Sequence, residues 1–85
     1  MVEALVFIRV GTSESLSLLK CVTDELVKIE EVEEVYDVFG RYDLVVRLKV
    51  NTLDDLSNLI ADEIRYIPGV LSTETLIVRL KTGKK

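Results

Sequence analysis

An apolar residue at every second position opens the chain. Every even-numbered residue within Val2–Val10 is apolar, whereas the odd-numbered positions mix apolar and charged side chains. Because successive side chains of a strand point to opposite faces, the pattern predicts a strand over this segment with one fully buried face. Leucine, valine and isoleucine then recur at roughly helical spacing, which predicts a helix over residues 14–29 with Thr12 or Ser13 as its N-cap.

The middle of the chain predicts a β-hairpin. Residues Val32–Phe39 are rich in valine, tyrosine and phenylalanine, which favour strands. The segment Gly40, Arg41 and Tyr42 then turns the chain, and Asp43–Val50 alternates between an apolar face and a mixed face. The sequence therefore predicts a second and a third strand joined by a turn at Gly40.

A second helix and a last strand complete the pattern. Asn51 or Thr52 is the predicted N-cap, and Thr52 with Asp55 three residues later has the form of a capping box; an apolar stripe at helical spacing then extends to Ile67. The Pro68-Gly69 pair ends this helix, because neither residue is compatible with its continuation. Residues Val70–Leu80 then predict a fourth strand.

The resulting order is strand, helix, strand, strand, helix, strand. This is the split, duplicated βαβ arrangement of the ferredoxin-like fold, an α+β sandwich. We therefore expect one domain over residues 1–85, in which both helices cover one face of an antiparallel four-stranded sheet. The other face is expected to stay open for interaction.

The open face is predicted to be a dimer interface. Odd-numbered positions of the first, third and fourth strands place five apolar side chains among charged and hydroxyl residues. These five are Leu5, Phe7, Val45, Leu71 and Ile77. An apolar centre with a polar rim is typical of interfaces, and the same face of a second copy is the expected partner. An ordinary sheet face with scattered apolar residues is the alternative.

Composition narrows the possible functions. The 85-residue chain has a net charge of −4, so it lacks the basic face by which proteins bind nucleic acid. It has no histidine and a single cysteine, Cys21, so we expect neither a zinc site nor a catalytic nucleophile, and no cofactor. No segment resembles a signal peptide or is apolar over the length of a bilayer, which predicts a cytoplasmic protein without membrane contact.

Two short motifs carry a resemblance to a known family. Residues Gly40–Asp43 match a Gly-x-Tyr-Asp turn, and Pro68–Val70 followed by Ser72–Thr75 match a Pro-Gly-Val and Ser-Thr-x-Thr strand start. In this order of elements they resemble the effector-binding (RAM) domain of the Lrp/AsnC family of transcriptional regulators. The resemblance covers nearly the whole chain.

The resemblance implies an amino-acid-binding regulatory domain that forms homodimers through its sheet. In that family dimers assemble further, often into octamers, and small effectors bind between dimers. Family members carry a helix-turn-helix domain ahead of this one. Because the chain begins with the first strand, we expect a stand-alone form that acts on full-length relatives and does not contact DNA directly.

An amino-acid pocket is expected at the hairpin turn, on a subunit boundary. Gly40 would admit backbone N–H groups to the ligand carboxylate, and Asp43 would accept a hydrogen bond from its ammonium group. Arg41 would pair with the carboxylate, and Tyr42 would form a wall. Structural alternatives stay open: Gly40 as a turn residue, Asp43 as a turn cap and Tyr42 as interface packing.

The start of the fourth strand is expected to add the hydroxyl groups of Ser72, Thr73 and Thr75 to this pocket. The two threonines occupy odd-numbered positions, as Asp43 does, so we expect these three side chains to converge beside the dimer seam. Selection of the threonines for strand propensity is the alternative. For the whole chain, the alternatives are a purely structural oligomerisation module and, less favoured, a small dimeric α+β-barrel enzyme.

Overall fold

The computed structural model contains the predicted elements in the predicted order. It describes residues 1–11 and 16–83, so the predicted N-cap at Thr12 or Ser13 lies outside the described residues. The strands are β1 (Val2–Val10), β2 (Val32–Asp37), β3 (Leu44–Val50) and β4 (Val70–Ile77). The helices are α1 (Leu16–Leu26) and α2 (Leu53–Leu59), and α2 continues directly as a π-helical segment (Ile60–Ile64).

The four strands form one antiparallel sheet in the order β2-β3-β1-β4. Strands β1 and β3 lie in the centre, so that Val6 pairs with Val46 on one side and with Thr75 on the other. Both helices pack on one face of the sheet, which we call the helix face. The arrangement confirms the predicted ferredoxin-like βαββαβ fold.

The core lies between the helices and the even-numbered residues of the two central strands. Its strand residues are Ala4, Val6, Ile8, Val10, Leu44, Val46, Leu48 and Val50. Its remaining residues, from the helices and the segment after them, are Val22, Leu26, Leu56, Leu59, Ile64 and Ile67. Among the described residues no polar side chain is buried. Burial of apolar surface therefore holds the helices against the sheet.

Helix α2 begins at the predicted cap and ends at the predicted stop. The backbone N–H of Asp55 donates to Thr52 Oγ1 at 3.1 Å. After the π-helical segment, Gly69 adopts φ +103°, and a Cβ atom there would lie 2.8 Å from Leu18 Cδ1 on α1. Glycine is therefore required at this position both by the backbone conformation and by the space available.

Several elements are shorter than predicted. Helix α1 ends at Leu26, where the N–H of Ile29 closes a turn onto the Leu26 carbonyl oxygen. Strands β2 and β4 end at Asp37 and Ile77, before the predicted ends at Phe39 and Leu80. Both are edge strands that pair on one side only, which makes their last residues easier to release from the ladder.

The predicted facing of β4 was wrong. Val70 pairs with Val10 and lies on the helix face as expected, but Ser72 pairs with Arg9, so Leu71 is an extra, bulged residue. A one-residue bulge reverses which side chains point to which face. As a result Thr73, Thr75 and Ile77, which pair with helix-face residues of β1, lie on the helix face and not on the open one.

Candidate functional site

The open face of the sheet, on the side away from the helices, has an apolar centre. Leu5 and Phe7 on β1 are flanked by Val45 on β3 and Leu76 on β4. The first three are partly buried within the isolated chain, and Leu76 is 49% exposed. The predicted apolar centre is therefore present, with Leu76 in the place that the sequence prediction gave to Ile77.

The two other residues predicted for this interface lie elsewhere. Ile77 is on the helix face, opposite Ala4, and Leu71 is in the bulge, where its side chain lies close to Gly11. Both are more than half exposed. The phase reversal at Leu71 thus removes Ile77 from the predicted surface, and the β4 residues that pair with open-face positions of β1 are Ser72, Glu74 and Leu76.

A charged cluster borders the apolar centre at its β2 side. Arg47 Nε donates to Glu34 Oε1 at 2.9 Å, and Arg47 Nη1 donates to Glu3 Oε2 at 3.3 Å. Lys81 Nζ donates to the other oxygen of Glu3 at 3.1 Å. Hydrogen bonds from Lys81 and Arg47 lower the pKa of Glu3, and hydrogen bonds from the Tyr36 hydroxyl and Arg47 lower the pKa of Glu34. The acids of this face are thereby held in their charged form.

The Gly40 turn closes one end of the sheet. Gly40 adopts φ +137°, and no atom lies within 4 Å of the position that a Cβ atom would occupy. Its backbone conformation therefore favours glycine, whereas no close approach within the chain does. Arg41 follows at the turn with an exposed side chain, and the Phe39 side chain before it is fully exposed.

Asp43 joins the start of β3 to the end of β1. Its Oδ2 accepts a hydrogen bond from the Val10 N–H at 2.8 Å, and its own N–H donates to the Ile8 carbonyl oxygen at 2.9 Å. One carboxylate oxygen is thus engaged by the backbone of β1, which is a structural role other than the turn cap given as the alternative for this residue. A ligand that contacts the Asp43 carboxylate would either leave the bond from the Val10 N–H in place or displace it.

Tyr42 reaches across β1 to the neighbouring strand. Its hydroxyl donates to the Glu74 carboxylate on β4, and its ring lies 5.4 Å from the Phe7 ring at a tilt of 58°. The bond to Glu74 raises the pKa of Tyr42. Tyr42 therefore connects the turn both to β4 and to the apolar centre, so its interface and ligand roles are not mutually exclusive.

The start of β4 borders a cleft of about 380 Å³ beside the end of the π-helical segment; we call it the β4 cleft. Its lining residues are Arg65, Val70, Leu71, Ser72 and Thr73. Asp43 is not among them, because β1 separates β3 from β4 by two strand spacings of about 4.8 Å each. The predicted convergence of Asp43, Thr73 and Thr75 on one face is therefore wrong within a single chain.

A larger cleft of about 540 Å³ runs along α2 and the π-helical segment, from Asp55 to Glu63. Its acidic lining residues are Glu30, Glu31, Glu33, Asp55, Asp62 and Glu63. No group of histidine, cysteine or carboxylate side chains within residues 1–11 and 16–83 is arranged to hold a metal ion. These acidic residues make the cleft unfavourable for anionic ligands.

Comparison with known proteins identifies the family. The family model described as "Lrp/AsnC ligand binding domain" matches residues 4–84. The chain belongs to the Lrp/AsnC family. The transcriptional regulator FL11 of Pyrococcus abyssi is 45% identical over 64 residues, which cover 75% of this chain and 41% of the regulator. The Lrp/AsnC chain described here thus spans about two-fifths of the length of the curated relatives that it matches first.

Two solved structures show the same fold. TTHA0845 from Thermus thermophilus is 27% identical, with a TM-score of 0.85, and covers 99% of this chain and 100% of that one. The transcriptional regulator NMB0573 from Neisseria meningitidis, solved as a complex with L-Met, has a TM-score of 0.87. It is 13% identical and covers 98% of this chain and 53% of its own, so it supports the fold alone.

Family membership confirms one further prediction. The curated Lrp/AsnC relatives are transcriptional regulators, and the matched region is a ligand-binding domain, so the chain is not an enzyme. Within the described part of the chain, no helix is both long and apolar enough to cross a membrane.

Sequence reasoning missed two residues of this region. Glu74 occupies the variable position of the Ser-Thr-x-Thr motif, yet the bulge turns it toward Tyr42. Arg65 belongs to the predicted second helix, and it also borders the β4 cleft. Its place three residues before the Pro68-Gly69 stop was the available signal in the sequence. The strand that follows a helix runs back beside the helix end, so a cation there lies near the start of that strand.

Proposed function

We propose that the chain is an amino-acid-binding regulatory domain that acts as an oligomer. The match of a ligand-binding domain over residues 4–84 carries this proposal, since that range includes both the Gly40 turn and the β4 cleft. An amino acid is the ligand class that we propose for this Lrp/AsnC domain, the class to which the L-Met bound by the regulator NMB0573 belongs. Modulation of full-length Lrp/AsnC regulators through a shared interface is the proposed mode of action.

Self-association is proposed to use the open face. Its centre of Leu5, Phe7, Val45 and Leu76 would be removed from water when a second copy covers it, at roughly 25 cal/mol per Å² of apolar surface. A two-fold copy also brings a cluster of both charge signs around Arg47, so the face has complementary charges for itself. Further assembly of such dimers, as in an octamer, would create the boundaries at which an effector binds.

The ligand pocket is proposed to include residues of more than one subunit. Arg41, Tyr42 and Asp43 lie around the turn, whereas Ser72 and Thr73 lie at the β4 cleft beyond β1. Thr75 lies one pair further along β4 on the helix face. Because these groups do not surround one volume within a chain, a pocket containing both sets requires a neighbouring subunit.

Light scattering after size-exclusion chromatography tests the assembly. The wild-type chain is expected to form dimers or larger species at micromolar concentration, and Phe7→Glu is expected to be a folded monomer, because a carboxylate would be buried in the apolar centre. The matched control is Val27→Glu. Val27 is an apolar residue that directly follows α1 and is 59% exposed. A monomeric wild type, or equal loss in both variants, would contradict use of the open face.

Calorimetric titration with each of the twenty amino acids tests the ligand. Binding of at least one, accompanied by a change in oligomer mass, is expected. Asp43→Asn then tests the turn, with circular dichroism as the check that the bond from the Val10 N–H is retained well enough for folding. No binding by any amino acid would support the purely structural oligomerisation module instead.

A further inference from the structure

The β4 cleft has one cationic residue, Arg65, whose position in the fold is fixed on both sides. Its backbone N–H donates to the Ile60 carbonyl oxygen at 3.0 Å, and its neighbours Ile64 and Ile67 are buried in the core. The side chain itself is exposed. The guanidinium is thus held at the mouth of the cleft by a well-packed backbone segment.

The Leu71 bulge shapes the other wall of this cleft. Val70 and Thr73 lie on the helix face, opposite Val10 and Ile8, whereas Ser72 lies opposite Arg9. The N–H of Gly11 donates to the Gly69 carbonyl oxygen at 2.8 Å, which fixes the strand start on which the bulge stands. Thr73 therefore brings one hydroxyl group to the helix-face side of a cleft that also has aliphatic walls.

Arg65 carries donors that the described structure does not use for an ion pair. The ion pairs formed within residues 1–11 and 16–83 involve Lys20, Lys28, Arg47 and Lys81 as cations. A guanidinium has five N–H donors, no acceptor and a permanent positive charge, so its natural ligand is a planar anion. Arg65 also borders a second groove, of about 310 Å³, with Ala61 and Tyr66.

We infer that Arg65 is the carboxylate-binding residue of this domain, and that the β4 cleft takes a small carboxylate ligand. The guanidinium binds the carboxylate as a fork, and the Thr73 hydroxyl, on the same face as Val70, donates to the same carboxylate. Val70 and the Tyr66 groove contact the remainder of the ligand. The inference deepens the proposed function and rests on it where the ligand is taken to be an amino acid.

The charge distribution favours the β4 cleft over the larger cleft for an anion. The larger cleft, along α2 and the π-helical segment, is lined by six carboxylates and one lysine, Lys49, which disfavours a carboxylate ligand. A single guanidinium in a chain of net charge −4 also matches a monoanion better than a phosphate dianion. The chemistry therefore points to a carboxylate, and phosphate becomes an outcome of the test.

The direct test follows the Arg65 Nε–Hε signal by ¹⁵N NMR in the full chain, with the signal assigned from its absence in Arg65→Gln. Sodium acetate, ethylammonium chloride and inorganic phosphate are titrated at constant ionic strength. Acetate is expected to shift the signal and ethylammonium is not, because only the first carries a carboxylate. A response to phosphate without one to acetate, or no response to either, would overturn the inference.

The second measurement uses calorimetry with the amino acid that binds the wild type. Arg65→Gln is expected to weaken binding about tenfold or more, the usual consequence of losing a charge-assisted hydrogen bond. Arg79→Gln is the matched control, since Arg79 is an exposed arginine beyond the end of β4 and outside the cleft. Equal affinity in Arg65→Gln and the wild type would reject the role of Arg65 while leaving the proposed function intact.

The two proposals are separable by the combined result. If no amino acid binds the wild type but acetate still shifts the Arg65 signal, the amino-acid function fails and the carboxylate site remains. If amino acids bind and acetate leaves the signal unchanged, the site is wrong and the function remains. If neither is observed, both fail.

Discussion

The two faces of the sheet come from the same strands and differ sharply in what they contain. On the helix face, β1 and β3 contribute eight apolar residues, none more than 5% exposed. On the open face the same strands alternate apolar residues with charged ones, such as Leu5 with Arg47. The helix face has the composition of a core that folds the chain, whereas the open face has the composition of a surface that becomes covered after folding.

One group of charges on the open face is paired within the chain. Arg47 contacts both Glu3 and Glu34, and their side chains are 13% and 46% exposed. Charges that enter an interface need partners, because an unpaired charge is costly to remove from water. In the proposed dimer, the Arg47 cluster would therefore enter the interface already paired.

The largest expected effect separates two leucines on opposite faces. Leu48→Ala should lower the free energy of unfolding by about 2–5 kcal/mol, since Leu48 is fully buried between sheet and helices. Leu5→Ala, at a partly buried open-face position, should cost less in dilute solution and should also weaken self-association. Urea unfolding at two protein concentrations measures both quantities.

Equal losses of unfolding free energy in Leu5→Ala and Leu48→Ala would contradict this contrast between the two faces. If Leu5→Ala destabilised the chain as much as Leu48→Ala at every concentration, the open face would be part of the monomer core. If Leu5→Ala left the concentration dependence unchanged, that face would not associate.

The contrast between the faces was largely readable from the sequence, except in β4. Strict alternation in β1 and β3 determined which side chains meet the helices, and Thr52 identified the start of α2. The β4 prediction failed because a bulge is a property of pairing between strands: Leu71 has no mark in the sequence that distinguishes it from a paired residue. The same limit explains why Glu74 was missed, as its partner Tyr42 lies 32 residues away.

The next effect compares a glycine that packs closely against α1 with a glycine that has no close neighbour. Gly69→Ala should cost roughly 2–4 kcal/mol, because it combines a strained backbone with a contact of 2.8 Å to Leu18 Cδ1. Gly40→Ala carries the backbone strain alone, about 1–2 kcal/mol, since nothing lies near its Cβ position. Thermal unfolding monitored by circular dichroism ranks the two.

A matched substitution separates conformation from contact at these glycines. Asparagine tolerates positive φ better than alanine, so Gly40→Asn should recover part of the loss, whereas Gly69→Asn should not. Recovery at Gly69 would show that Leu18 moves aside easily and that the close packing there contributes little.

The smallest effect tests the paired charges of the open face through pH. Glu3 and Glu34 have lowered pKa values in the folded chain, so the stability they add is present above roughly pH 4.3 and is lost as they become protonated at lower pH. Unfolding free energy should therefore fall between about pH 5 and pH 3. Arg47→Gln should make that fall shallower, because it removes one cause of both shifts.

The matched control is Lys20→Gln, which removes an ion pair to Asp24 that is largely exposed on α1. It should leave the slope of stability against pH almost unchanged, since exposed pairs contribute little. Part of the wild-type slope should survive in Arg47→Gln as well, because Lys81 still bonds Glu3 and Tyr36 still bonds Glu34. A slope equal to that of the wild type would mean that Arg47 does not organise the acids of the open face, and that their pairing depends on Lys81 and Tyr36 alone.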